Sequence, residues 1–346
     1  MALNRQDMIQ KILVAAWLLM LPFALQSKEI GMRIMIRTGL ELSGKLILPD
    51  CQSSGILVVL LSPPYNLSDK DNTANLAIAD SLARHGYATF LFDNRVYSDS
   101  LRHRFTHDNT TFEDIAEDGI DLKEQLQNME LLKGYQIGFI GFSEGGMAVS
   151  VAASKADCRF CAMFASPTKD GSWTKYAKSV EGYQTAMMGN SSPVMMNTSY
   201  KLIEAAKGDM PYVAAKAYML QLYEKKAITE QEFGGADGLI KFVSRQNGTR
   251  HEQALLHYDL GSYAASINCP MLYVAFRQDE QMNAMRELAW FEKTMLKHGK
   301  LDFVTDVVDC THQMTAKQLH QNKNSKVPAK LSEVIALLLS FLNNIK

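Results

Sequence analysis

The chain has 346 residues, 47% of them hydrophobic, enough for one large core with an inserted subdomain or for two domains. Its formal net charge is −1 and no run of like charges appears, so it lacks the electrostatic footprint of a nucleic-acid binder. Neither repeats nor low-complexity tracts mark it as a solenoid or a linker-rich chain.

At the N-terminus, Arg5 and Lys11 precede an apolar stretch, residues 12–25, which ends in Gln26-Ser27-Lys28. A basic start, an apolar run of this length and a small polar exit predict a secretory signal peptide over residues 1–27. The protein is then exported, periplasmic or secreted. An uncleaved segment would instead hold it to a membrane, although the run is short for a span, and a buried core helix is the third reading. The five cysteines are Cys51, Cys158, Cys161, Cys269 and Cys310. Export permits disulfides, and an odd count leaves at least one thiol unpaired or intermolecular. Cys158 or Cys161 could pair with Cys269 if the strands that follow them are neighbours; buried free thiols are the alternative.

In chain order, residues 30–37 and 40–48 read as two strands joined at Thr38-Gly39. Residues 55–61 (Gly-Ile-Leu-Val-Val-Leu-Leu) form a fully apolar run, as a strand buried on both faces requires. A helix at 75–85 ends at Gly86, and a strand follows at 87–92. Residues 111–129 are an amphipathic helix whose start, Thr-Phe-Glu-Asp, carries an N-cap and early acids. Further strands are expected at 135–140, 159–165, 270–276 and 301–308, with helices at 282–298 and 331–342. This alternation predicts an α/β protein with about eight mostly parallel strands and helices on both faces. Residues 168–262 break the rhythm and read as helices (199–207, 212–226, 229–233). The expected organisation is a core over 28–167 and 263–346, with a helical lid insertion at 168–262. Met187, Met188, Met195 and Met196, near Trp173 and Tyr183, would line an acyl pocket or form ordinary helix core.

Residues 141–146 read Gly-Phe-Ser-Glu-Gly-Gly, between the apolar run ending at Ile140 and the small-residue stretch from Met147. This is G-x-S-x-G at a strand-to-helix junction. The turn is too sharp for bulky flanking side chains, and it holds the Ser143 hydroxyl above the sheet edge. Ser143 is therefore the candidate nucleophile. Other constellations are weaker. His103 and His107 have i, i+4 spacing without a glutamate between them, and His251 to His257 has the wrong spacing for H-E-x-x-H, so no metal is expected. Neither G-x-G-x-x-G nor a P-loop occurs, so no cofactor is expected.

The sequence resembles the α/β-hydrolase fold, and in particular bacterial exported esterases with a Gly-His-Ser-Glu-Gly-Gly elbow. Residues 62–72 (Ser-Pro-Pro-Tyr-Asn-Leu-Ser-Asp-Lys-Asp-Asn) resemble that group's Gly-Ser-Gly-Pro-x-Asp-Arg-Asp-Gly loop, and Phe92-Asp-Asn-Arg95 resembles its Asp-x-Arg-Gly segment. The resemblance covers about 30–166 and 265–345. Phe142, Val96 and the Pro63-Pro64 pair depart from it. It implies a serine hydrolase with the order Ser, acid, His. Residues 276–279 (Phe-Arg-Gln-Asp) resemble the turn that carries the family acid, which points to Asp279; a variant placement makes Asp170 the reserve. His312, just past the last strand, is the implied base, with His320 a weaker competitor. The oxyanion donors implied are the backbone N–H of Glu144 and, because prolines have none, that of Tyr65, with Asn66 next in line. The expected reaction is hydrolysis of a small-molecule carboxylic ester without a cofactor. A peptidase, a thioesterase and a binding protein with a degenerate oxyanion loop are the alternatives.

Overall fold

A computed structural model describes residues 27–99, 104–169, 249–279, 281–315 and 328–345, together with five helical positions, Ala214, Ala217, Leu220, Gln221 and Glu224. Those five fall within the helix expected at 212–226. Residues 1–26 of the expected signal peptide, the other positions of 170–248 with the four methionines and Asp170, and His320 lie outside the described residues.

The strands are β1 (Lys28–Met35), β2 (Glu41–Leu48), β3 (Ile56–Leu61), β4 (Ala88–Phe92), β5 (Gln136–Phe142), β6 (Cys161–Phe164), β7 (Met271–Phe276) and β8 (Phe303–Val308). They form one eight-stranded sheet in the order β1-β2-β4-β3-β5-β6-β7-β8. β2 runs antiparallel to β1 and to β4; every other pair is parallel. Position in the sheet explains the residue patterns. β3 and β7 are buried at every position, as apolar strands covered on both faces must be, whereas the edge strands β1 and β8 mostly alternate between more and less exposed positions.

The helices are α1 (Thr73–Arg84), the short α2 (Arg95–Ser98), α3 (Phe112–Gln127), α4 (Glu144–Lys155), α5 (Arg250–His257), α6 (Gly261–Ala264), α7 (Ala284–Lys297) and α8 (Leu331–Asn344). Side chains cap several of the starts. Asn72 accepts from Ala74 and Asn75 at α1, and Thr111 forms a capping box with Asp114 at α3. One face of the sheet packs on α3, α4, α5 and α7 through Phe112, Ile115, Met147, Leu255 and Phe291. The other packs on α1 and α8 through Ile78, Leu82, Val334, Leu338 and Phe341.

Residues 249–262 fall in the stretch expected to be insertion, yet they build core. Leu255, Tyr258 and Leu260 are buried in the first cluster, Lys169 bridges to Asp259, and the Leu260 N–H donates to the Thr168 carbonyl at 2.9 Å. Glu287 of α7, fully buried, accepts from the Thr168 N–H and hydroxyl at 2.8 and 2.7 Å. Residues 168–169 and 259–260 are thus fastened to each other.

Cys158 and Cys269 precede the neighbouring strands β6 and β7, and their Sγ atoms lie 3.4 Å apart as free thiols. Of the two alternatives in the sequence, the structure shows the unbridged one.

The segment after β4 ends in a buried ion pair. Arg95 donates to both oxygens of Asp118 on α3 (2.8 and 2.6 Å), and both side chains are almost wholly buried. Burial pushes the Asp118 carboxyl up to about 6, with Arg95 pulling the other way. Removing one partner leaves the other charge buried alone. Arg95→Ala should therefore cost about 3–5 kcal/mol of stability, measured as a lowered urea midpoint with an unchanged m-value.

Candidate active site

Ser143 sits between the end of β5 and the first residue of α4, with φ 54° and ψ −125°. A non-glycine residue in that region costs about 1–3 kcal/mol and persists only where its surroundings fix it. They do so here. The Ser143 N–H donates to the Phe164 carbonyl and its carbonyl accepts from Gly146, both at 2.9 Å. Two glycines make the turn sterically possible. A Cβ on Gly141 would strike the Gly145 carbonyl, and a Cβ on Gly145 would strike the Leu61 carbonyl at the end of β3. The elbow is thus pressed directly against the strand whose following loop faces it.

Asp279 and His312 come from the loops after β7 and β8, which pair in parallel and so end at one sheet edge. His312 Nδ1 lies 2.6 Å from Asp279 Oδ2. The carboxylate can only accept, so Nδ1 carries the proton and Nε2 is the ring's accepting nitrogen. Asp279 is buried, and its Oδ1 takes the N–H groups of Gln281 (2.7 Å) and Met282 (2.9 Å). Ser143 and His312 line a single cavity of about 450 Å³, walled by Phe142, Leu61, Tyr65 and Asp69. Phe142, which departs from the resembled motif, stacks on Phe164 at 4.8 Å and supplies apolar wall.

The loop after β3 is held by polar clasps. Asn94 Nδ2 donates to Asp69 Oδ2 (2.8 Å), to the Tyr65 carbonyl (2.9 Å) and to the Pro63 carbonyl (3.3 Å). Asp93, buried, takes Lys70 Nζ (2.5 Å) and the Ser68 hydroxyl (2.8 Å). Burial pushes the Asp69 carboxyl up to about 6 against the opposing hydrogen bonds from Asn94 and Ser62. The two segments that carry the resemblance, 62–72 and 92–95, thus grip each other.

The N–H of Glu144 opens α4, where a helix leaves its first amides unpaired. The expected second donor needs correcting. The Tyr65 N–H points back to the Pro63 carbonyl at 2.8 Å, in a tight turn set by the two prolines, and is not available to a ligand. The Tyr65 side chain, by contrast, lines the cavity. Although the residue is 45% exposed overall, desolvation of its hydroxyl and the nearby Glu144 carboxylate push its phenol up, so it keeps its proton. Reading backbone donors alone missed this group; an aromatic with a hydroxyl directly after Pro63-Pro64 was the available signal.

No protein-family profile matches the chain, and neither does any curated protein. Among solved structures it is similar to an esterase from Pyrococcus furiosus, with 16% identity over 93% of this chain and 92% of that one and a TM-score of 0.55. It is also similar to dienelactone hydrolase from Anabaena variabilis, with 13% identity over 92% and 98% and a TM-score of 0.52. Proline iminopeptidase from Mycobacterium smegmatis gives 14%, 91% and 98%, and 0.50. The chain has the α/β-hydrolase fold.

The crowding at the elbow is directly testable. Gly145→Ala must displace the end of β3 or the start of α4, and should cost about 1–3 kcal/mol, read as a lowered denaturation midpoint.

Proposed function

We propose that the protein is a serine hydrolase that cleaves carboxylic esters through an acyl-enzyme. The observation that carries this reading is the 2.6 Å bond from His312 to the buried Asp279, with His312 and the elbow residue Ser143 lining one cavity. In this reading Ser143 Oγ attacks the ester carbonyl while His312 Nε2 takes its proton. Asp279 holds the tautomer and balances the imidazolium. His312 then gives the proton to the departing alcohol, and a water it activates releases the acid. The oxyanion rests on the Glu144 N–H and the Tyr65 phenol O–H. We also propose that residues 1–27 direct export, which N-terminal sequencing of the mature protein tests. An uncleaved N-terminus would return the segment to an anchor or a core helix.

Apolar groups such as Leu61, Ile78, Phe142 and Phe276 share the cavity wall about equally with polar ones such as Asp69, Asn72, Asn75 and Gln281, so it offers a substrate both kinds of contact. Ser143→Ala should abolish fluorophosphonate labelling and reduce turnover of p-nitrophenyl esters to background. Hydrolysis of thioesters or aminoacyl amides in preference to esters would move the assignment to a thioesterase or a peptidase. An unlabelled serine and no turnover across the panel would make the protein a binder. Tyr65→Phe removes one oxyanion donor and should lower kcat about 10²-fold with KM nearly unchanged. A wild-type kcat in that variant would remove the phenol from the site.

A further inference from the structure

Two histidines outside the proposed triad meet each other, and one of them reaches Glu144, the residue after Ser143. His251 belongs to α5 and His107 to the 3-10 turn His107–Asn109; their ring centroids are 4.1 Å apart. His251 is buried, at 3% exposure. Its Nδ1 lies 2.7 Å from the Thr110 carbonyl oxygen, which has no proton to give, so Nδ1 carries a hydrogen. Its Nε2 lies 3.3 Å from Oε2 of Glu144, an oxygen with no hydrogen-bond partner of its own among the described residues. The ring and the buried carboxylate oxygen are thus at ion-pair distance without a hydrogen bond between them. A backbone acceptor on one ring nitrogen and an otherwise unpartnered buried carboxylate oxygen beside the other favour the imidazolium. Burial opposes that charge, but Glu144 beside it, with the Thr110 carbonyl and Glu252, outweighs burial and the net shift is upward.

Glu144 follows Ser143 directly, and its N–H is the first oxyanion donor in the reading above. Its side chain, however, puts a negative charge beside a site where negative charge must develop. That repulsion opposes the transition state. We propose that His251 is a positioning residue whose imidazolium neutralises the Glu144 carboxylate, so that the amide of Glu144 can stabilise an oxyanion. The inference rests on Ser143 being the nucleophile. His107 extends the arrangement to the facing loop. Its Nδ1 is 3.2 Å from the Pro64 carbonyl and its ring 5.4 Å from that of Tyr65. The groups facing His251 are Glu144 from α4, Glu252 on its own helix and His107 from the turn. The adjoining Arg250–Asp114 pair ties α5 to α3.

A double-mutant cycle on the full chain tests this, with p-nitrophenyl acetate as substrate. His251→Gln should lower kcat about ten-fold with KM little changed. Adding Glu144→Gln, which removes the charge that His251 balances, should recover most of that loss. A double variant as slow as His251→Gln, or a wild-type kcat in His251→Gln, overturns the proposal. A pH series covers the case in which the His251 variant does not fold. Wild-type kcat should fall as alkaline pH strips the second proton from His251, while Glu144→Gln holds its rate across the same range; parallel profiles overturn the proposal. Fluorophosphonate labelling of wild-type Ser143 separates the two levels. An unreactive serine sinks the hydrolase reading and this one with it, whereas a reactive serine with an additive cycle sinks this one alone.

Discussion

The contact between the elbow and the end of β3 governs the whole site. The backbone at Gly145 lies so close to the Leu61 carbonyl that no side chain fits between them. That closeness sets where α4 begins, and therefore where its first amide points. It also sets how far the loop leaving β3 can stand from Ser143. The strained φ at Ser143 follows from the same requirement. The chain must turn from a central strand into a helix within one residue, and hydrogen bonds to Phe164 and Gly146 hold the turn. Hydrophobic burial on both sheet faces supplies the free energy that keeps such a conformation populated.

The opposite wall of the cavity is built on polar terms. A loop beginning Ser62-Pro63-Pro64 cannot join the sheet ladder, since prolines offer no N–H. It is fixed instead by side chains from the end of β4. Asn94 gathers the Pro63 and Tyr65 carbonyls and the Asp69 carboxylate, and Asp93 takes Lys70 and Ser68. Arg95, the next residue, carries the load into α3 through Asp118. Three consecutive residues thus secure the loop to the body of the protein. Buried polar networks of this kind specify one arrangement because any other leaves groups unsatisfied.

Much of this was legible in the sequence, and the reasons differ by element. Strands such as β3 and β7 announced themselves because central parallel strands must be apolar on both faces. Ser143, Asp279 and His312 could be placed at strand ends because the alternation of elements fixes which loops share a sheet edge. The Tyr65 amide was misread because donor status depends on a turn geometry that two prolines impose locally. Residues 249–262 read as insertion because a short helix after a long break in rhythm carries no periodic signal linking it to the core. His107 and His251 were visible only as failed metal spacings. Their meeting depends on α5 packing against the 3-10 turn, a contact between distant segments that no local pattern encodes.

Two carboxylate–imidazole pairs flank Ser143, and their chemistry differs in what the second ring nitrogen meets. In the first, Asp279 takes the Nδ1 proton of His312 and is itself satisfied by two backbone amides, which leaves Nε2 as an accepting nitrogen in a ring that lines the cavity. Such a ring can exchange a proton with a substrate. In the second, His251 spends Nδ1–H on a backbone carbonyl and turns Nε2 to Glu144. In the role proposed for it, this ring acts through its charge rather than by receiving a proton. The same two functional groups, a carboxylate and an imidazole, thus take different tasks beside one serine. The difference lies in what stands at Nε2, the cavity for His312 and the Glu144 carboxylate for His251.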